Sequence, residues 1–123
     1  MSMILIVDDD VLVVDVLKKM LERDGYELMT CNNGNQALRL CRKNPPDLAI
    51  VDIFMPEKEG LETIREMKKE YPSLKVIAIS GGSKASTQDY LGVASKLGAD
   101  LTLSKPVERE DLLKAVARLL EIA

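Results

Sequence analysis

Four aspartates stand where apolar runs break off. Asp8, Asp9 and Asp10 close the run Ile4-Leu5-Ile6-Val7, and Asp52 closes Leu48-Ala49-Ile50-Val51. If the two runs are neighbouring parallel strands, these carboxylates crowd into one crevice, and like charges a few ångströms apart are costly until a cation or protons relieve them. The residue types ask for a metal. Hard oxygen ligands, with no His in the chain and no thiolate beside them, favour Mg²⁺ or Ca²⁺ over zinc. An incomplete carboxylate shell leaves positions for water and phosphate, so the set reads as phosphoryl chemistry. The same lack of His removes the usual general base and excludes His-based nucleophilic catalysis within this chain.

Five apolar runs would position these groups: Met3 to Val7, Glu27 to Cys31, Leu48 to Val51, Leu74 to Ile79 and Leu101 to Leu103. Each is followed by a stretch with helical periodicity. The first helix is expected after Asp10 as N-cap, with Leu12, Val16, Leu17, Met20 and Leu21 turned inward and Gly25 as its stop. The second runs from Asn35 to Arg42, ahead of Pro45-Pro46. The third, Gly60 to Glu70, buries Leu61, Ile64 and Met67. The fourth, about Ser86 to Leu97, buries Tyr90, Val93 and Leu97 and ends at Gly98. The fifth, about Glu108 to Glu121, buries Leu112, Leu113, Val116, Leu119 and Leu120. Near-continuous apolar strands alternating with amphipathic helices predict a doubly wound α/β fold, a parallel sheet covered by helices on both faces. Ligands of such sheets sit at the carboxyl ends of the strands, where Asp8, Asp9, Asp52, Ser80 and Lys105 all fall.

Bulk properties narrow the classes. The 123 residues form one expected domain, 1–123, with no linker, low-complexity tract or composition shift to mark a second. A 46% hydrophobic and 30% charged composition disfavours disorder. No apolar stretch approaches the roughly 20 residues of a membrane span. The N-terminus lacks the basic region and cleavage site of a signal peptide, so a cytoplasmic location is expected. A net charge of −3 with interspersed Lys and Glu offers no basic stripe, which argues against direct nucleic-acid binding. Cys31 and Cys41, the two cysteines, are too few for a zinc site and are expected as reduced, packed thiols.

At this level of detail the chain resembles a response-regulator receiver domain of two-component signalling along essentially its whole length. The matching residues are Asp8 and Asp9 in ILIVDD, Asp52 in LAIVDIFMP, Ser80 in VIAISGG and Lys105 in LSKP. The resemblance implies a flavodoxin-like, five-stranded sheet of order 2-1-3-4-5 with five helices. It implies that Asp52 takes a phosphoryl group from a phosphohistidine on a sensor histidine kinase or histidine phosphotransfer protein. It further implies Mg²⁺ as cofactor, held by Asp9 and Asp52, by Asp8 through a water and by the carbonyl of Phe54. Lys105 and Ser80 would bind phosphate oxygens, and the Lys105-Pro106 bond is usually cis in the family. A downstream protein or output domain is the implied target, with a homodimer through helix 4, strand 5 and helix 5 as a further contact. The chain carries no output domain of its own, so it is either a stand-alone regulator or a piece of a longer one.

Each residue also has a plainer reading. Asp10 is read as a helix cap and not a ligand. Ser80 alone would pass for a strand-end turn residue, and Lys105 alone for a solvated lysine. Two departures from the family pattern stand out. Thr102 occupies the position three before the lysine where many receivers carry a switching aromatic, so the signal is expected to travel through the small, polar Gly81 to Thr87 loop. Phe54 and Gly82 occupy the positions that tune phosphoryl loss to water. A rival class, the Mg²⁺-dependent aspartyl phosphohydrolases, places a second Asp two residues after the nucleophile. Phe54 stands there instead, which argues for a regulatory module and not an enzyme of turnover. A phosphate-independent pseudo-receiver is the other alternative, and the intact set of five residues argues against it.

Overall fold

The structure is a computed structural model that describes residues 2–53, 60–81 and 92–122. Five strands, β1 (Met3–Val7), β2 (Glu27–Cys31), β3 (Leu48–Asp52), β4 (Lys75–Ser80) and β5 (Leu101–Ser104), alternate with helices. The helices are α1 (Val11–Glu22), α2 (Gly34–Lys43), α3 (Gly60–Glu70), α4, described over residues 92–97, and α5 (Arg109–Ile122). All strand pairings are parallel and the sheet order is β2-β1-β3-β4-β5, as expected. Phe54, Gly82 and the rest of the expected Gly81 to Thr87 loop beyond Gly81 lie outside the described residues, as does Tyr90.

The near-continuous apolar character of the strands follows from burial on both faces. Leu5, Val7, Ala49, Val51, Val76 and Ala78 belong to one core with α2, α3 and Ala94 of α4. Their strand neighbours Ile4, Ile6, Leu48, Ile50, Ile77 and Ile79 belong to a second core with α1 and α5. Alternation of side-chain direction along each strand divides one run between two layers.

Local chemistry accounts for the helix ends. Asp10, in extended conformation, accepts from Leu12 N at 3.0 Å and caps α1, as read from its position. Asn33 caps α2 by accepting from Gln36 N at 2.8 Å. Gly25 and Gly98 take φ of +87° and +122° in the turns after α1 and α4, a conformation that only glycine adopts freely.

Three expected core residues lie outside. Leu12 and Val16 are 75% and 50% exposed, and Val93 is 43% exposed. Val11 to Val16 is apolar on every side apart from Asp15, so periodicity alone leaves the phase of α1 open. Packing on the sheet selects the stripe of Val13, Leu17, Met20 and Leu21, and turns Leu12 and Val16 away by about one residue's 100°. In α4 the inward position goes to Ala94, fully buried, which leaves its neighbour Val93 outside. Leu61, Leu113 and Leu120 pack only at the core's margin.

Candidate functional site

The register of β1 and β3 determines the crevice. Val7 pairs with Val51, so Asp8, just past β1, and Asp52, the last residue of β3, stand at the same level at the ends of adjacent strands. Both are buried, at 1% and 3% exposure, while Asp9 is exposed. Carboxylate oxygens of Asp8, Asp9 and Asp52 lie within 4.8 Å of one another. Asp8 is held by its own loop, since its Oδ1 accepts from Asp10 N at 2.9 Å.

Lys105 enters from the end of β5. Its Nζ lies 3.0 Å from Asp8 Oδ2 and 3.5 Å from Asp52 Oδ2. Burial by itself lowers the lysine's pKa, but the Asp8 and Asp52 carboxylates outweigh it and hold the ammonium above its ordinary 10.5. Lys105 N also donates to Ser80 O at 2.7 Å, which ties β5 to the end of β4 beside the site. The Lys105-Pro106 bond is cis.

Ser80 is fully buried, and its Oγ has no hydrogen-bond partner among the described residues. A buried hydroxyl without a partner is costly in a stable fold, so its presence at the crevice marks a place for an incoming acceptor. Three hard carboxylate donors, two of them buried, are the chemistry that a divalent cation with retained waters requires, so the residues fit Mg²⁺.

Two glycines, read from the sequence only as a helix start and as part of a loop, make close approaches in the same place. A Cβ on Gly60, at the start of α3, would run into the carbonyl oxygen of Asp52 and the Cα of Ile53. A Cβ on Gly81 would meet the stem of Lys105. Such close approaches connect residues far apart in sequence, and no local pattern marks them. Thr102 is half-buried and pairs with Ala78 in the sheet.

An acidic crevice with a bridging lysine, at the carboxyl edge of a 2-1-3-4-5 sheet, defines the flavodoxin-like class of doubly wound domains with a strand-end site. Within that class, residues 4–117 match the family model of the response regulator receiver domain, and the chain belongs to that family. The response regulator GtcR of Aneurinibacillus migulanus is 40% identical over 116 residues, 94% of this chain and 45% of its own length. The alkaline phosphatase synthesis transcriptional regulatory protein PhoP of Bacillus subtilis is 30% identical over 98% of this chain and 50% of its own length. The chain thus spans about half the length of these curated relatives. Among solved structures, a CheY-like receiver domain protein from Methanospirillum hungatei superposes with a TM-score of 0.88 at 32% identity, covering 98% of this chain and 95% of its own. The response regulator TrrA from Thermotoga maritima, in complex with Mg²⁺-BeF, gives 0.85 at 33% identity, covering 97% and 99%. No helix among the described residues is long and apolar enough to cross a membrane.

Proposed function

We propose that this receiver domain accepts a phosphoryl group on Asp52 in a Mg²⁺-dependent reaction and relays the change through protein contacts. The observation that carries the reading is the Asp8, Asp9, Asp52 cluster with Lys105 aimed at two of its carboxylates. An Asp52 oxygen forms the new O–P bond as the N–P bond of a donor phosphohistidine breaks, and the imidazole keeps that electron pair. Asp8, Asp9 and Asp52 would hold the cation, and Phe54, outside the described residues, is the further ligand that the family resemblance implies. Bound there, Mg²⁺ would screen the charge on the transferring phosphoryl oxygens. Lys105 pairs with one of those oxygens, and the buried Ser80 hydroxyl donates to another.

A donor histidine must come within bonding distance of a 3%-exposed aspartate, so the donor protein covers the rim of the crevice. That rim is apolar on the α1 side. Val11, Leu12 and Val16 are exposed there, beside a groove of about 440 Å³ bounded by Leu12, Val13, Lys105, Pro106 and Val107. Exposed contiguous apolar surface of this kind suits docking of a kinase or phosphotransfer protein. The output contact, to a downstream protein, an output domain or a second copy, is assigned to the α4-β5-α5 face, where Val93 is exposed. The whole reads as a signalling module and not a turnover enzyme, since the position two past Asp52 holds Phe54.

Incubation with acetyl phosphate and Mg²⁺ tests the reading. Mass spectrometry should find one added phosphoryl group, absent from Asp52→Asn. Unchanged labelling in that variant would sink the assignment.

A further inference from the structure

Asn33 and Gly34 set an amide side chain next to a peptide nitrogen whose residue has no Cβ to shield it. In an unfolded chain such a pair rearranges. The Gly34 nitrogen, losing its proton to solvent, bonds to the side-chain carbonyl carbon of Asn33, and the amide nitrogen leaves as ammonia. Water then opens the five-membered imide at either carbonyl. One opening gives aspartate, the other isoaspartate, whose main chain runs through the side-chain carbons and is one methylene longer. The fold holds the pair away from this reaction. Asn33 is extended, with φ −157° and ψ 166°. Ring closure needs the Gly34 nitrogen eclipsed with the Asn33 side chain about the Cα–C bond, and this ψ keeps them staggered. Both ends of the amide are tied, since Oδ1 accepts from Gln36 N at 2.8 Å and Nδ2 donates to Asn32 Oδ1 at 3.1 Å. Gln36 answers with its own side chain, Oε1 accepting from Asn32 N at 3.1 Å. Gly34 is buried, and Asn33 O accepts from Ala37 N at 3.1 Å as α2 begins.

We propose that Asn33 is a modification site, open to deamidation by water, and that the first turn of α2 is the gate that keeps it shut. The attack requires that turn to open, a local event at a helix end that leaves the rest of the fold in place. The two products differ in what they do to the turn. Aspartate at position 33 still offers an oxygen to Gln36 N, and its charge suits the positive end of the helix. Isoaspartate displaces the capping oxygen along the lengthened main chain, so the gate does not close again. The change falls two residues beyond Cys31, whose carbonyl accepts from Asp8 N at 3.2 Å. Isoaspartate at position 33 is thus a lesion in α2 and in the loop beside the acidic crevice.

Four proteins decide the matter: wild type, Gln36→Ala, Asn35→Gly and Asn33→Ser. Each is incubated at pH 8 folded in buffer and unfolded in urea, with a thermal melt to verify folding. Peptide mass spectrometry follows the gain of one mass unit at residue 33, and an isoaspartyl methyltransferase assay follows isoaspartate. Folded wild type should convert about tenfold or more slowly than the unfolded chain, because only the opened turn reacts. Gln36→Ala removes the acceptor for Asn32 N and should speed the folded reaction severalfold. Asn35→Gly loosens the same turn from an exposed position and should speed it by about fivefold, the worth of a helical glycine. In urea these three proteins should share one rate. Asn33→Ser keeps a capping oxygen without the amide and should lose the rapid conversion in urea. Equal rates in folded and unfolded wild type would overturn the proposal. So would folded Gln36→Ala and Asn35→Gly proteins that convert no faster than wild type, or an unfolded chain that stays unmodified at Asn33.

Discussion

Lys105 bridges carboxylates at the ends of two neighbouring strands, with its Nζ 3.0 Å from Asp8 Oδ2 and 3.5 Å from Asp52 Oδ2. Among the described residues, Lys105 supplies the ammonium that faces this cluster of three carboxylates, two of them buried. A cation that joined the cluster would favour the folded chain, since the unfolded one offers no comparable site.

Mg²⁺ should therefore raise the melting temperature. Linkage gives about 2.7 kcal/mol at a free concentration about 100-fold above the dissociation constant. Asp9→Ala should shrink the shift. Melts of both proteins with EDTA and with Mg²⁺ check this, and equal shifts would remove Asp9 from the ligand set.

Ser80→Ala should separate stability from function. The hydroxyl is fully buried with no hydrogen-bond partner among the described residues, so its removal should stabilise the metal-free fold by about 1 kcal/mol. The same change should slow labelling by acetyl phosphate. Urea unfolding and labelling rates measure the two. A variant that lost stability would show that the hydroxyl is satisfied in the resting fold.

Gly60→Ala should destabilise the site's own backbone. The new methyl group would press on the Asp52 carbonyl oxygen and Ile53 Cα, main-chain atoms that no rotamer change moves. A cost of about 2 kcal/mol is expected for overpacking of this kind, read as a lower urea midpoint at unchanged slope. Since the strain falls on Asp52 itself, the Mg²⁺-induced melting shift should shrink as well.

The two thiols should be silent at neutral pH. Burial pushes both Cys31 and Cys41 from an ordinary 9.0 up to about 11. Iodoacetamide at pH 8 should label the native protein far more slowly than the denatured one. The folded chain holds these protons more tightly than the unfolded chain. Their contribution is therefore complete below pH 9 and is lost as pH rises from 9 towards 11. Lys105, also raised, acts in the same direction above its ordinary 10.5. Melting temperature should accordingly fall above pH 9, and less steeply in a Cys31→Ala, Cys41→Ala variant.

The apolar runs ending in Asp8 and Asp52, with Gly and Asp at the helix ends, made the α/β order and the strand-end site readable from the sequence alone. Those signals are local: a period of two or 3.6, a cap, a break. The matches at Asp8, Asp9, Asp52, Ser80 and Lys105 added the family and its sheet order. Tertiary packing decided what local periodicity left degenerate. The apolar segment Val11 to Val16 fits several helix phases, and only the sheet surface selected Val13 and Leu17 over Leu12 and Val16. The distances from Lys105 to Asp8 and Asp52, the lack of a partner for Ser80 Oγ among the described residues, and the fit of Gly60 and Gly81 against distant neighbours are likewise tertiary. Each depends on strands brought together across many residues, and a glycine in a sequence does not say which neighbour has taken the space its side chain would fill.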